Sequence, residues 1–392
     1  MNSMRKLLLM NTAAGIIFNY INLFINLFIW EKGQSIADVA WYNLVQFLFW
    51  GAAFVWGVKL LNSYSLRFVF LASAIFAAIT FGVVSVLHIE PKFLYLALLA
   101  LPVGITNGLN SCAQNLGVSL FGKSDDFAAY FSTSNIIGQV IQIVNPIVFA
   151  IVIQTIGYTG SFAVMLGFVG VMVACAFFIP NATLASQQTK SVASYAISNV
   201  FFTPTLRWMI PSIIAAGFFM QFQGLFSLIF TFSVTENKLI IAILQITYTV
   251  CTILAMVLYR RLRNEGRFHN SFWLMLGMIM ASIGFGIALY PKAPILILSN
   301  ILTTVGMFFF MTIWNARQFI AINHLDAAAK SRILVWRELL LVIARIAVLA
   351  PVLAIKDFAS WPFRLLMLFC FIVALTIPYL SKKGTEEVRP RN

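Results

Sequence analysis

The sequence predicts an all-α integral membrane protein, and three observations carry that expectation. Of 392 residues, 61% are hydrophobic and only 10% are charged, against roughly a quarter charged in an average soluble domain. Apolar runs of about 20 residues, the length a helix needs to cross the hydrocarbon core, recur along the whole chain. The short alternating segments of a membrane barrel are not the pattern.

Twelve spans are expected, at about 7–29, 39–61, 67–87, 93–119, 128–153, 159–180, 207–234, 239–259, 270–290, 294–319, 331–354 and 361–380. Span 1 follows Arg5 and Lys6 and so imitates a signal peptide, but its apolar run is long and lacks a small-residue cleavage site, so it is expected to stay as a helix. The connections are short apart from the middle one. That divides the chain into a six-span bundle at 1–180, a cytoplasmic linker at 181–206, and a second six-span bundle with a short cytoplasmic tail at 207–392.

Lys and Arg set the orientation. With the N-terminus cytoplasmic, eighteen of them fall inside and six outside, while Arg337 and Arg345 lie within a span. The positive-inside bias puts both ends in the cytoplasm of a plasma-membrane protein. The net charge of +14 then reflects topology and attraction to anionic lipid, and nucleic acid is not an expected partner.

Neither a metal nor a cofactor is expected. Cys112, Cys175, Cys251 and Cys370 each fall within a span without a second Cys or His at ligand spacing. No nucleophile is paired with a His or a carboxylate dyad, and no nucleotide loop is present, so the chain is not expected to be an enzyme.

The polar residues inside the spans carry the functional information. Span 1 contains Asn11, Asn19, Asn22 and Asn26. At 100° per residue they share one narrow face with Gly15, and a lipid-facing stripe of amides would be very unfavourable. That face must point into the protein or into water, either as interhelical glue or as one wall of a hydrated cavity. Span 4 adds Asn107, Asn110, Gln114 and Asn115, span 5 adds Gln139, Gln142 and Asn145, span 7 adds Gln221 and Gln223, and span 8 adds Gln245 and Tyr248. Span 10 offers Asn300, Thr303, Thr304, Asn315 and Arg317.

Six spans, a longer cytoplasmic connection and six more spans, with both ends inside, resemble the major facilitator superfamily, whose halves rock about a central site. The resemblance implies that spans 1, 4, 7 and 10 face the centre. The loop 2–3 signature of that superfamily is degenerate: in GVKLLNSYSLR, Gly57 and Arg67 fit, but Leu61 stands where an Asp belongs. The corresponding YRRLRNEGRF of the second half keeps Gly266 and Arg267, again without the Asp. The glycine-rich span 5 of drug/proton antiporters is replaced here by GQVIQIVNPIVFA, with Asn145 before Pro146.

Charge within the spans is sparse. Every acidic residue maps to a loop, a helix end or the tail except Glu338, which makes it the acidic candidate for proton coupling. Glu338 and Arg345 point within about 20° of each other and stand roughly 10 Å apart along the axis. Arg337 is adjacent, and Arg317 on span 10 lies at a comparable depth, so one reading is an ion-pair network that joins spans 10 and 11. The other is that Arg345, near the middle of span 11, meets an anionic group of a substrate.

These observations lead to a secondary transporter that moves a small amphiphilic or anionic solute by alternating access. Asn19, Asn22, Asn26, Asn110, Gln114, Gln221 and Arg345 are the candidate substrate contacts, and Glu338, Arg337 and Arg317 the coupling or ion-pair set. Multidrug efflux, a lipid or lipid-linked-sugar flippase, and a non-transporting sensor or scaffold are the alternatives. The first draws on the aromatic residues Phe218, Phe219, Phe222 and Phe308 to Phe310.

Overall fold

The computed structural model describes residues 3–86, 91–121, 124–183, 207–264, 269–322, 327–355, 357–358 and 360–386. The expected linker lies outside them from residue 184 onward. Every extended element among the described residues is a helix: α1 (Ser3–Gly33), α2 (Ile36–Ser63), α3 (Leu66–Val86), α4 (Lys92–Phe121), α5 (124–156), α6 (158–178), α7 (Met209–Val234), α8 (Lys238–Asn264), α9 (Asn270–Ile287), α10 (Ala293–Ile322), α11 (Ala327–Val352) and α12 (Trp361–Glu386). Two local departures from regular helix matter. Residues Ile21–Ile25 of α1 form a π turn, and α5 passes to α6 through Gly157 alone, at φ 71° and ψ −179°, a backbone region in which only glycine escapes a Cβ clash.

Ten of the helical stretches are long and apolar enough to cross a membrane, with 136–178 counted as one of them. They carry large apolar side chains on their outer surfaces, for example Ile243 and Leu254 of α8 and Leu368 and Ile372 of α12. In water such surface would be unfavourable, whereas in lipid it is the expected exterior. The chain is a multi-pass membrane protein. The helix α11 falls outside that set because each 18-residue stretch of it holds at least three charged residues.

The chain forms two compact units: Met1–Gln34 with Trp41–Val192, and Ser35–Ala40 with Ala193–Asn392. Within the first, α1 packs along α5 and α6, and α3 packs on α4 and on the α5–α6 stretch. Within the second, α7 packs on α11 and α12, and α9 packs on α10 and α12. The second unit thus repeats the helix pairing of the first.

Small residues allow the closest crossings. A Cβ on Gly104 of α4 would press on the Gln46 carbonyl of α2, and one on Gly108 would press on the Trp50 carbonyl. A Cβ on Gly277 of α9 would stand 2.7 Å from Phe309 Cβ of α10. In a membrane, where association rests on packing rather than on water exclusion, such glycines let backbones approach. In the same way a Cβ on Gly217 of α7 would stand 2.6 Å from Ala344 Cβ, which places α7 directly against the charged helix α11.

Candidate functional site

In the first unit the asparagines of α1 are the centre of a hydrogen-bond network. Asn11 donates to Ser134 Oγ of α5 at 2.8 Å and accepts a short bond from Gln114 Nε2 of α4. One and a half turns on, the Ile16 carbonyl accepts a 2.9 Å bond from Asn145 Nδ2 of α5. Tyr20, fully buried, shares a 2.5 Å bond with Ser161 of α6 and meets the rings of Phe24, Phe81, Phe149 and Phe162. Amide bonds and aromatic packing together hold α1 to three neighbours.

Beyond Tyr20 the straight-helix expectation fails. A π turn has i→i+5 geometry, so its residues advance by less than the usual 100° and the helix beyond is rotated relative to the helix before. Asn26 is therefore displaced from the face of Asn11. It is 2% exposed, donates to the Asn22 carbonyl inside the π turn at 2.8 Å, and accepts from Asn43 Nδ2 of α2 at 2.9 Å. Asn22 itself presents an exposed side chain. Asn19 is half-buried with its Oδ1 shielded and unbonded, and Asn110 of α4 is buried with its Oδ1 likewise unbonded. Thus Asn11 and Gln114 are brought together, Asn22, Asn26 and Asn43 form a second group, and Asn19 and Asn110 keep free acceptors.

In the second unit the charges gather on α11. Glu338 and Arg345 are 6% and 8% exposed, and Glu338 interacts electrostatically with both Arg345 and Arg337. Arg337 is oriented from α10, where it donates to Asn315 Oδ1 at 2.7 Å and stands 5.1 Å from the ring of Trp314. Trp314 is fixed in turn by a 2.9 Å bond to Ser212 of α7 and by stacking on Phe310. Arg317 donates to Ser381 of α12 at 3.2 Å and Ser271 of α9 at 2.6 Å. The bond between Asn315 and Arg337 links α10 to the charged stretch of α11. Gln221 is buried on α7, one turn beyond Gly217 and so on the side that packs against α11.

A separate neutral cluster joins α7, α8 and α10. Asn300 Nδ2 lies within hydrogen-bond distance of the Ser227 carbonyl, Thr231 Oγ1 and Tyr248 OH, at 3.0, 3.1 and 3.3 Å, and Gln223 reaches Thr304 at 3.4 Å. Phe219, Phe222, Phe309 and Phe310 are all buried within the unit, where Phe219 packs on Phe310, Phe219 and Phe222 pack on Phe285, and Phe309 stacks on Trp273. They are core residues here. Among the described residues no three His, Cys, Asp or Glu side chains gather as a metal ion requires. The residues that sequence reasoning missed, Asn43, Ser134, Ser161 and Ser212, are short polar side chains on other helices whose only signal was polarity inside an apolar span.

No family model and no curated protein matches the sequence. Solved structures match along nearly its whole length. The nucleoside transporter NupG is similar over 98% of this chain and 99% of its own, at 12% identity and a TM-score of 0.65. A POT family transporter in complex with 5-aminolevulinic acid covers 97% and 96%, at 11% and 0.72, and a D-xylose-proton symporter covers 98% of both chains, at 15% and 0.70. At these identities the likeness establishes the fold. It is the fold that these three transporters share.

Proposed function

We propose that this protein is a secondary transporter with twelve spans in two six-helix bundles and both termini in the cytoplasm, and that it moves a small amphiphilic or anionic solute by alternating access. The fold it shares with a nucleoside transporter, a POT family transporter and a xylose-proton symporter supports the transport reading. The observation that carries the solute class is the charge on α11, where half-buried Arg337 and buried Arg345 share one carboxylate, the buried Glu338, so the three groups sum to +1. Excess positive charge at membrane depth is costly unless an anion or water compensates it, and a guanidinium matches a carboxylate or phosphate in shape. A hydrophobic cation would be repelled. Of the aromatic residues on which multidrug efflux would draw, Phe219, Phe222, Phe309 and Phe310 are buried and only Phe218 and Phe308 are half-buried, which weighs against that reading.

In this reading Asn19, Asn22, Asn110, Gln114 and Gln221 line the solute path, Arg345 meets the anionic group, and Glu338 exchanges the coupling proton. Purified protein in liposomes tests it. Organic anions should exchange across the membrane faster than in empty liposomes, with the exchange lost in Arg345→Gln. Exchange of cationic amphiphiles alone, unaffected by that substitution, would overturn the solute class.

A further inference from the structure

Arg337 is held more closely than a counter-ion for Glu338 needs to be. Its Nη2 donates to Asn315 Oδ1 of α10 at 2.7 Å, and its guanidinium stands 5.1 Å from the ring of Trp314, the preceding residue of α10. Asn315 is itself oriented, because its Nδ2 turns toward Met311 Sδ at 3.9 Å and leaves Oδ1 for the arginine. Trp314 is anchored by its 2.9 Å bond to Ser212 of α7 and by stacking on Phe310. Two helices thus fix the position of one cation on a third.

That hold leaves a donor over. Arg337 Nε is shielded and without a hydrogen-bond partner, while the side chain as a whole is half-buried and so borders space outside the packed core. Glu338 acts on Arg337 electrostatically, but its side chain leaves α11 about 100° further round the axis. An arginine present only to balance Glu338 would turn its donors toward that carboxylate, since charge-assisted bonds are the strong ones. Here one donor goes to a neutral amide and another to nothing, although an unmet N–H of a charged group costs more than a neutral one.

We propose that Arg337 binds the anionic group of the solute through its Nε–H, with Asn315 and Trp314 as positioning residues that hold the guanidinium in place. The proposal rests on the transport reading above and deepens it, because the anion site then includes the arginine that α10 orients as well as Arg345. The ligand class is a carboxylate or phosphate, whose oxygen accepts a charge-assisted bond. A lysine at this position would keep the charge but lose both the Nε–H and the flat face turned to Trp314.

The probes are hexanoate and its neutral counterpart hexanamide, with binding to the purified full chain read from the concentration dependence of the thermal midpoint, each variant measured against its own unliganded value. Wild type should bind hexanoate and not hexanamide. Arg337→Lys should weaken hexanoate binding about tenfold, the scale of one charge-assisted hydrogen bond. Asn315→Asp keeps an acceptor for Nη2 but adds a carboxylate that competes with the anion. Its unliganded midpoint should equal or exceed that of wild type while its affinity for hexanoate falls about tenfold or more. A purely structural Asn315–Arg337 pair would not give that opposite movement, and the second variant keeps the test open if Arg337→Lys does not fold. Hexanoate binding that is lost in Arg345→Gln but unchanged in Arg337→Lys and Asn315→Asp would overturn this proposal and leave the anion reading intact. No hexanoate binding in wild type would overturn both.

Discussion

Asn43 of α2 donates to Asn26 of α1 at 2.9 Å while Asn26 donates to the Asn22 carbonyl inside the π turn at 2.8 Å. One side chain thus satisfies a distorted stretch of backbone and ties it to the next helix. The relationship explains how a π turn without glycine or proline persists at membrane depth, where an unbonded carbonyl is expensive.

Substitution of that link should therefore be felt locally. Asn26→Leu removes both bonds and Asn43→Leu one of them, and bonds of this type within membranes average about 0.6 kcal/mol with a maximum near 1.7. Asn26→Leu is expected to cost about twice as much as Asn43→Leu in chemical denaturation from detergent. Equal costs would show that the bond to the Asn22 carbonyl contributes nothing.

The charges of α11 give a sharper test. Glu338→Gln leaves half-buried Arg337 and buried Arg345 to repel each other, a loss on the order of 3–5 kcal/mol. The double variant Glu338→Gln/Arg345→Gln returns the local sum to +1 and should recover most of it. A double-mutant cycle that measures the coupling checks this, and additive losses would mean that Glu338 does not balance Arg345.

Coupling has its own test. If Glu338 carries the transported proton, a Glu338→Gln variant in liposomes should still exchange solute at equilibrium but should not concentrate it in response to an imposed pH gradient. Accumulation driven by that gradient alone would assign the role elsewhere.

The glycine crossings predict opposite outcomes for one substitution type. Gly104→Ala places a methyl group on the Gln46 carbonyl and should cost about 1–3 kcal/mol through forced separation of α2 and α4. Gly82→Ala of α3 meets nothing within 4 Å and should be neutral or stabilise by up to about 1 kcal/mol. Thermal melts of the two variants side by side provide the check.

Much of the fold was legible because membrane depth leaves few options: about twenty apolar residues per span and polar connections are visible in a single chain. Positions around each helix axis were less so. The 100° rule turned the Asn11 face away from lipid without naming Gln114 and Ser134 as its partners; it also assumed a regular helix, and nothing in Ile21–Ile25 announces the π turn that redirects Asn26 to α2. The bonds of Arg317 to Ser271 and Ser381 likewise depend on which side of α10 it occupies, which depth alone does not give. The unbonded oxygens of Asn19 and Asn110 could not be read from sequence, since an amide's spare capacity depends on every neighbour it meets.

The central claim is that the buried charge of α11 selects an anionic solute. Its most direct test is a thermal-shift screen of the purified protein against anionic, neutral and cationic amphiphiles, run in parallel on Arg345→Gln. The account predicts stabilisation by anions that disappears in the variant. Stabilisation by cations that persists in the variant would contradict it and leave Arg345 as a structural partner of Glu338.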